Sequence, residues 1–384
     1  MRRFAAGSLL VASVATAWSV GGALTAPGTL SPPIRMVEWV RSHGGGSLVA
    51  NAERVWYGLN APSKGGRPAK GLIPTHHHRS SASSSPSVPH LQPPAPISQF
   101  PGVHIAGEGT WQPIGFPVNG IYPMYASYVA PSPAYTSLVT GVVWIDPKLV
   151  SARLFAGSQS PGVGTWTYSS PLAGSTTTGL EAAFNAGFRM NASNGGWYSE
   201  GKTAVPLRNG AASFVIMKNG TASVGQWGRD FTMGPNIASV RQNLSLIVDG
   251  GKPVPGLSNN NFQQWGLTLG NQLMVWRSGV GVTKNGALIY VGGPGLSITG
   301  LARTLVRAGA VRAMEFDINT DWVNFFYFSP PPGQPSSPLN GAKLLSDMIR
   351  PVNRYFTPTA RDFVALYARN STAASGSGVS AASN

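Results

Sequence analysis

The chain has 384 residues, 42% of them hydrophobic and only 11% charged. That apolar share is enough for a sizeable core, and 48 glycines with 32 prolines favour turn-rich β structure over long helices. With no cysteine, disulfides, thiolate metal sites and a cysteine nucleophile are excluded, while a formal charge of +15 suits an anionic neighbour such as nucleic acid, anionic lipid or an acidic wall polymer.

Met1-Arg2-Arg3 precedes an uncharged stretch whose apolar part, Phe4 to Ala26, is about long enough to span a bilayer. Residues 1–33 are therefore expected to be a signal anchor, or a signal peptide cut near Ala23 or Ala26. Either places the rest of the chain outside the cytoplasm, at the cell membrane or secreted. Residues 34–60 predict short amphipathic helices, with Met36, Val37, Val40, Val49 and Trp56 apolar and Glu38, Arg41 and Glu53 polar. Residues 61–97 are Pro/Ser-rich and predict a linker. His76-His77-His78 sits inside it, without the rigid frame a metal site needs. The folded domain is expected at 98–368, followed by a disordered Ser/Ala/Gly tail at 369–384.

A helical turn is expected at 179–183, before a strand end at Asn185. Lys218-Asn219-Gly220 and Lys284-Asn285-Gly286 each separate two apolar runs and predict hairpins. A third is expected from Leu244 through Asp249-Gly250-Gly251 to Lys252. Ser297 can cap a helix carrying Ile298, Leu301, Leu305 and Ala308 on one face, with Gly309 ending it. A strand from Val311 to Ile318 follows, and then a helix from Ala342 to Arg350. Strands dominate, so the expected class is α+β: a mixed, largely antiparallel twisted sheet with hairpins and a few packed helices.

Alternation along 311–318 puts Glu315 and Asp317 on one face, opposite Met314 and Phe316. Two carboxylates side by side repel unless they face water, a cation or a ligand, so they are the first catalytic candidates. Between residues 98 and 368 the lone histidine is His104. A Ser-His-Asp centre is accordingly discounted and His-rich zinc sites are excluded, no metal or cofactor is expected, and acid–base work falls to a carboxylate, or else to a Tyr or Lys. Arg277 at a strand end can grip a phosphate through paired hydrogen bonds, with Ser278 adding a donor. Asn185 either holds a sugar hydroxyl or orders its own turn. Gly187 would let the backbone approach a ligand, and Arg189 would add a second positive contact. Trp197, Tyr198 and Trp322 are aromatics able either to stack on a sugar or to fill the core.

Three motifs in order carry a resemblance. Asn185-Ala186-Gly187-Phe188, then Arg277-Ser278 with Gly281-Val282, then the segment from Leu296 to Asp317 resemble the phosphodiester glycosidase family in its Asn-Gly-Gly-Phe turn, its Arg-Thr strand with hairpin, and its helix followed by a strand ending in Asp. One departure stands out. Where that family commonly has Gly-Gly-Ser, Asp317 is followed here by Ile318-Asn319-Thr320-Asp321-Trp322, so Asn319 and Asp321 would supply side-chain contacts to the substrate.

The resemblance implies hydrolysis of a glycosyl phosphodiester in cell-envelope or exopolysaccharide material. Asp317 and Glu315 would be catalytic, and Arg277, Ser278, Asn185, Gly187, Arg189 and Asn319 would bind substrate. The partner would be a phosphorylated glycan or cell-wall polymer, with the membrane engaged by the N-terminal helix. An inactive surface protein that binds phosphorylated glycans with the same fold stays open beside it. Dispersed arginines and an export segment argue against nucleic acid.

Overall fold

The computed structural model describes residues 2–74, 88–101, 105–162, 164–259, 261–266 and 274–369. His76–His78, His104 and the tail from 370 onward lie outside them.

Three antiparallel sheets make up the domain. The largest runs in the order β1 (Gln112–Ile114), β2 (Met124–Val129), β3 (Thr140–Ile145), β14 (Leu288–Leu296), β13 (Val275–Thr283), β15 (Ala310–Ile318), β11 (Leu246–Asp249) and β12 (Lys252–Pro253). A second holds β7 (Lys202–Val205), β6 (Trp197–Ser199), β10 (Ile237–Gln242), β8 (Ala212–Met217) and β9 (Ala222–Gln226). The third holds β17 (Gly341–Lys343), β16 (Phe325–Phe328), β5 (Leu180–Asn185), β18 (Phe363–Ala368) and β4 (Val150–Phe155). The three expected hairpins form: β8 pairs with β9, β13 with β14, and β11 with β12.

Side chains of all three sheets meet in one core, where Phe184, Phe214, Tyr290, Phe316, Phe325 and Val364 are fully buried. The other face of the large sheet is covered by α5 (Ile298–Arg307), through Leu301 and Leu305 against Ile289, Val291 and Ala313. Ser297 caps α5 by accepting from the Gly300 N–H at 3.0 Å. The sheets and the intervening helix confirm the α+β class.

Two predicted helices are absent. Residues 180–185 form strand β5, with a 3-10 turn earlier, at Gly174–Thr177. The stretch from Ala342 starts as β17, pairing with β16, and continues in turns that bury Leu344, Leu345 and Met348. Ladder pairing and core contacts override helix propensity there.

The N-terminal part is helical: α1 (Arg2–Thr25), α2 (Pro32–Val40), a kink at Arg41–Gly45 where Gly44 takes a φ of 88°, and α3 (Gly46–Leu59). Among the described residues no helix is long and apolar enough to cross a membrane. A short helix, α4 (Phe262–Trp265), precedes β13.

Candidate active site

The register between β13 and β15 decides the geometry. Ser278 opposes Asp317 and Gly279 opposes Glu315, so Phe316 is an extra residue, a β-bulge. Directly opposed residues share a face. A bulge therefore breaks the alternation, and Glu315 and Asp317 point to opposite faces of the sheet. The expected carboxylate pair on one face is not formed. The bulge is held from outside the ladder, where the Asn243 side-chain amide donates to the Glu315 and Phe316 carbonyls at 2.9 and 3.1 Å.

Glu315 lies on the α5 face. Its carboxylate meets the Arg277 guanidinium at 2.5 Å, and both side chains are buried, at 1% and 0% exposure. Arg277 Nε also donates to the Leu296 carbonyl at 3.0 Å. Arg277 is thus committed within the fold and does not present a free fork to a phosphate.

Asp317 lies on the other face, beside β5 and the turn after it. Its backbone N–H donates to Ser278 Oγ at 3.2 Å, and Ser278 Oγ accepts from Asn185 Nδ2 at 2.9 Å. Asn185 Oδ1 accepts from the Tyr290 hydroxyl at 2.9 Å and the Asn324 N–H at 3.2 Å. Of the two roles open to Asn185, the structure gives it ordering: its amide joins three strands and their turn. Gly187 serves an internal contact as well. A Cβ there would lie 2.9 Å from Arg241 Cζ, so glycine admits that guanidinium. Asn319 takes a positive φ of 91°, and its Oδ1 accepts from the Asp321 N–H at 3.0 Å, which closes the turn after β15.

Around Asp317 the structure gathers arginines that sequence reasoning missed. Arg361 donates to Asp317 at 2.9 Å and to the Gly187 carbonyl at 2.7 Å. Arg350 pairs with Asp321 at 2.7 Å, Arg354 donates to the Asp321 carbonyl at 2.9 Å, and Arg241 pairs with Asp362 at 2.6 Å. The guanidiniums of Arg350, Arg354 and Arg361 lie 5.8, 5.3 and 4.8 Å from the centre of the Trp322 ring. Trp322 is their common platform. Trp197 is instead fully buried in the core. The legible signal was the run of three arginines between residues 350 and 361.

The N-terminal segment closes over this cluster. Arg189 pairs with the Glu38 carboxylate of α2. Arg350 also donates to the Thr29 carbonyl at 2.9 Å. Glu38 acts electrostatically on Asp317, Asp321 and Arg350 as well. On the Asp317 face, without Glu38, five guanidiniums (Arg189, Arg241, Arg350, Arg354, Arg361) stand against three carboxylates (Asp317, Asp321, Asp362). The Nε atoms of Arg189, Arg354 and Arg361 are buried with no hydrogen-bond partner among the described residues. The cluster has both charge and donors to spare for an anion.

Burial pushes the Asp317 carboxyl up to about 6. Arg361, the Ile318 N–H and Arg241 oppose that rise, and Glu38 adds to it. Burial pushes Glu315 up to about 7, against the pull of Arg277. Burial and the neighbouring Arg354 lower Arg350 to about 10. Among the described residues no group of histidines and carboxylates is arranged to hold a metal ion.

No curated protein matches the chain. A structure of the catalytic domain of zebrafish N-acetylglucosamine-1-phosphodiester alpha-N-acetylglucosaminidase, described as auto-inhibited by its pro-peptide, is similar at 16% identity and a TM-score of 0.40, over 64% of this chain and 82% of that one. A hypothetical protein from Synechocystis is similar at 15% identity and a TM-score of 0.35, over 66% of this chain and 64% of that one. Residues 178–317, from just before β5 to Asp317, match the profile of the phosphodiester glycosidase family.

Proposed function

We propose that the chain hydrolyses a glycosyl phosphodiester, with Asp317 at the anomeric carbon and the arginine cluster on the phosphate. The carrying observation is the carboxylate of Glu38, seated on Arg189 within electrostatic reach of Asp317, Asp321 and Arg350. It carries the single negative charge that a phosphodiester carries.

In the reaction, water oxygen bonds to the anomeric carbon and the bond from that carbon to the phosphate oxygen breaks. The phosphate departs as a monoester and keeps the bonding pair. Its second pKa is about 6, so it leaves without a strong general acid. Arg189, Arg350, Arg354 and Arg361 offset its growing charge. Asp317 takes the proton from water or stabilises the positive charge developing at the sugar. Glu315 holds Arg277, which stiffens the strand pair that carries Ser278 and Asp317.

On this reading α2 must move before substrate enters, and Glu38 is the competitor in the resting chain. Replacing Glu38 by Gln removes the competing charge. The substitution should raise kcat/KM on a sugar-1-phosphodiester by about tenfold, in line with the loss of one charge-assisted contact. Binding of the diester with no free sugar released, by either form, would instead identify a phosphoglycan-binding protein. The loop after Asp317 favours that second reading, since Asn319 is spent on its own turn and Asp321 on Arg350. The apolar stretch behind Arg2-Arg3 and the charge of +15 support a site of action outside the cytoplasm, on anionic envelope or exopolysaccharide material.

A further inference from the structure

A second concavity lies at the far end of the same strands. In β18, Phe363 pairs with Asn185 beside the candidate active site, and Ala368 pairs with Val150 at the rim of a cavity of about 1140 Å³. Five residues of strand separate the two, roughly 17 Å. The two sites share no residue.

Lys148, Arg153, Lys218 and Arg369 line this cavity with Tyr168 and Tyr198. Among the described residues none of the four cations forms an ion pair. Arg153 is held between two rings, 4.9 Å from the centre of Tyr168 and 4.5 Å from that of Tyr367. Arg369 is held by carbonyls, with Nε donating to Pro147 and Val150 at 2.9 Å each and Nη1 to Asn219 at 2.6 Å. These contacts position the two guanidiniums without a salt-bridge partner, although the buried Asp146 carboxylate acts through space on Arg369 and Lys148. The cavity's one lining carboxylate, Glu200, is engaged by the backbone N–H groups of Thr167 and Tyr168 at 2.9 Å each.

We infer that this cleft binds an anionic glycan chain and holds a polymeric substrate while its end occupies the arginine cluster. Fixed cations supply the charge complement. Tyrosine rings with Ser151, Ser199, Ser239 and Asn219 supply the mixed apolar and hydrogen-bonding wall that polyols need. The inference rests on the proposed reaction for its polymer class, but its test reads binding and is independent of turnover.

The probe is poly(glycerol phosphate), titrated against the full chain at low and at moderate salt. Lys148 and Lys218 are exposed, so their reversal leaves the fold intact. The double variant Lys148→Glu/Lys218→Glu should bind the polymer about tenfold more weakly, as expected when two cationic contacts become repulsive. Its turnover of a small sugar-1-phosphodiester should stay unchanged. The control Lys252→Glu/Lys284→Glu changes net charge equally at exposed positions outside the cleft and should bind as the parent does. Equal loss in both variants, or none in either, overturns the cleft. Single-stranded DNA bound as tightly as the polymer, with the same loss on Lys148→Glu/Lys218→Glu, would overturn the glycan assignment. Failure to turn over any substrate while the cleft variants still lose polymer would sink the proposed reaction alone.

Discussion

Replacing Glu315 by Ala separates a structural ion pair from a catalytic carboxylate. Both partners of the Glu315–Arg277 pair are buried, at 1% and 0% exposure and 2.5 Å apart. Truncating one partner leaves the other charge without its compensation, which typically costs about 3–5 kcal/mol. In a domain of this size that lowers the melting temperature by about 10 °C. Urea unfolding followed by tryptophan fluorescence reads the loss as a lower midpoint at unchanged slope. The double variant Glu315→Leu/Arg277→Met should recover most of the stability, because a buried pair exchanged for apolar groups of similar volume is close to neutral. A Glu315→Ala protein within about 1 kcal/mol of the parent, or a double variant no better than the single one, would refute the assignment of this pair to the fold.

Two further outcomes follow from the same contacts. A Cβ at Gly187 would lie 2.9 Å from Arg241 Cζ, and that guanidinium is pinned by Asp362 at 2.6 Å and the Gln242 carbonyl at 2.6 Å. Gly187→Ala should therefore cost about 2 kcal/mol by overpacking, and a loss under about 0.5 kcal/mol in the same urea assay would contradict it. Asp317 is raised by burial to about 6, so kcat/KM should climb as pH rises through about 6 and the carboxylate ionises. Glu38 adds to that rise, so Glu38→Gln should move the acid limb to lower pH, and an unmoved limb would argue against their coupling. For the fold the sign is opposite. A carboxyl raised in the folded state favours the protonated form, so Asp317 lowers stability as pH climbs from its ordinary 3.8 towards about 6.

Local chemistry was legible in the sequence. Asn-Gly turns set the β8–β9 and β13–β14 hairpins, and Ser297 announced α5. The three family motifs do converge, with Asn185, Ser278 and Asp317 joined by hydrogen bonds, but Arg277 sits on the opposite face with Glu315. What escaped was non-local. Strict alternation could not foresee the bulge at Phe316, because it is stabilised by Asn243, a residue more than seventy positions away. It therefore paired Glu315 with the wrong neighbour. The phosphate grip was sought at Arg277, while three of the arginines around Asp317 come from residues 350–361, beyond the family match. Ala342 to Arg350 carried a helical pattern, yet pairing with β16 held its start in a strand.

The central claim is that Asp317 performs the chemistry beside the arginine cluster. Its most direct test is single-turnover release of free sugar from a sugar-1-phosphodiester by Glu38→Gln and by Glu38→Gln/Asp317→Asn. The amide keeps the shape of the side chain and removes its charge, so release should fall about a thousandfold while diester binding persists. Undiminished release by the double variant would contradict the account.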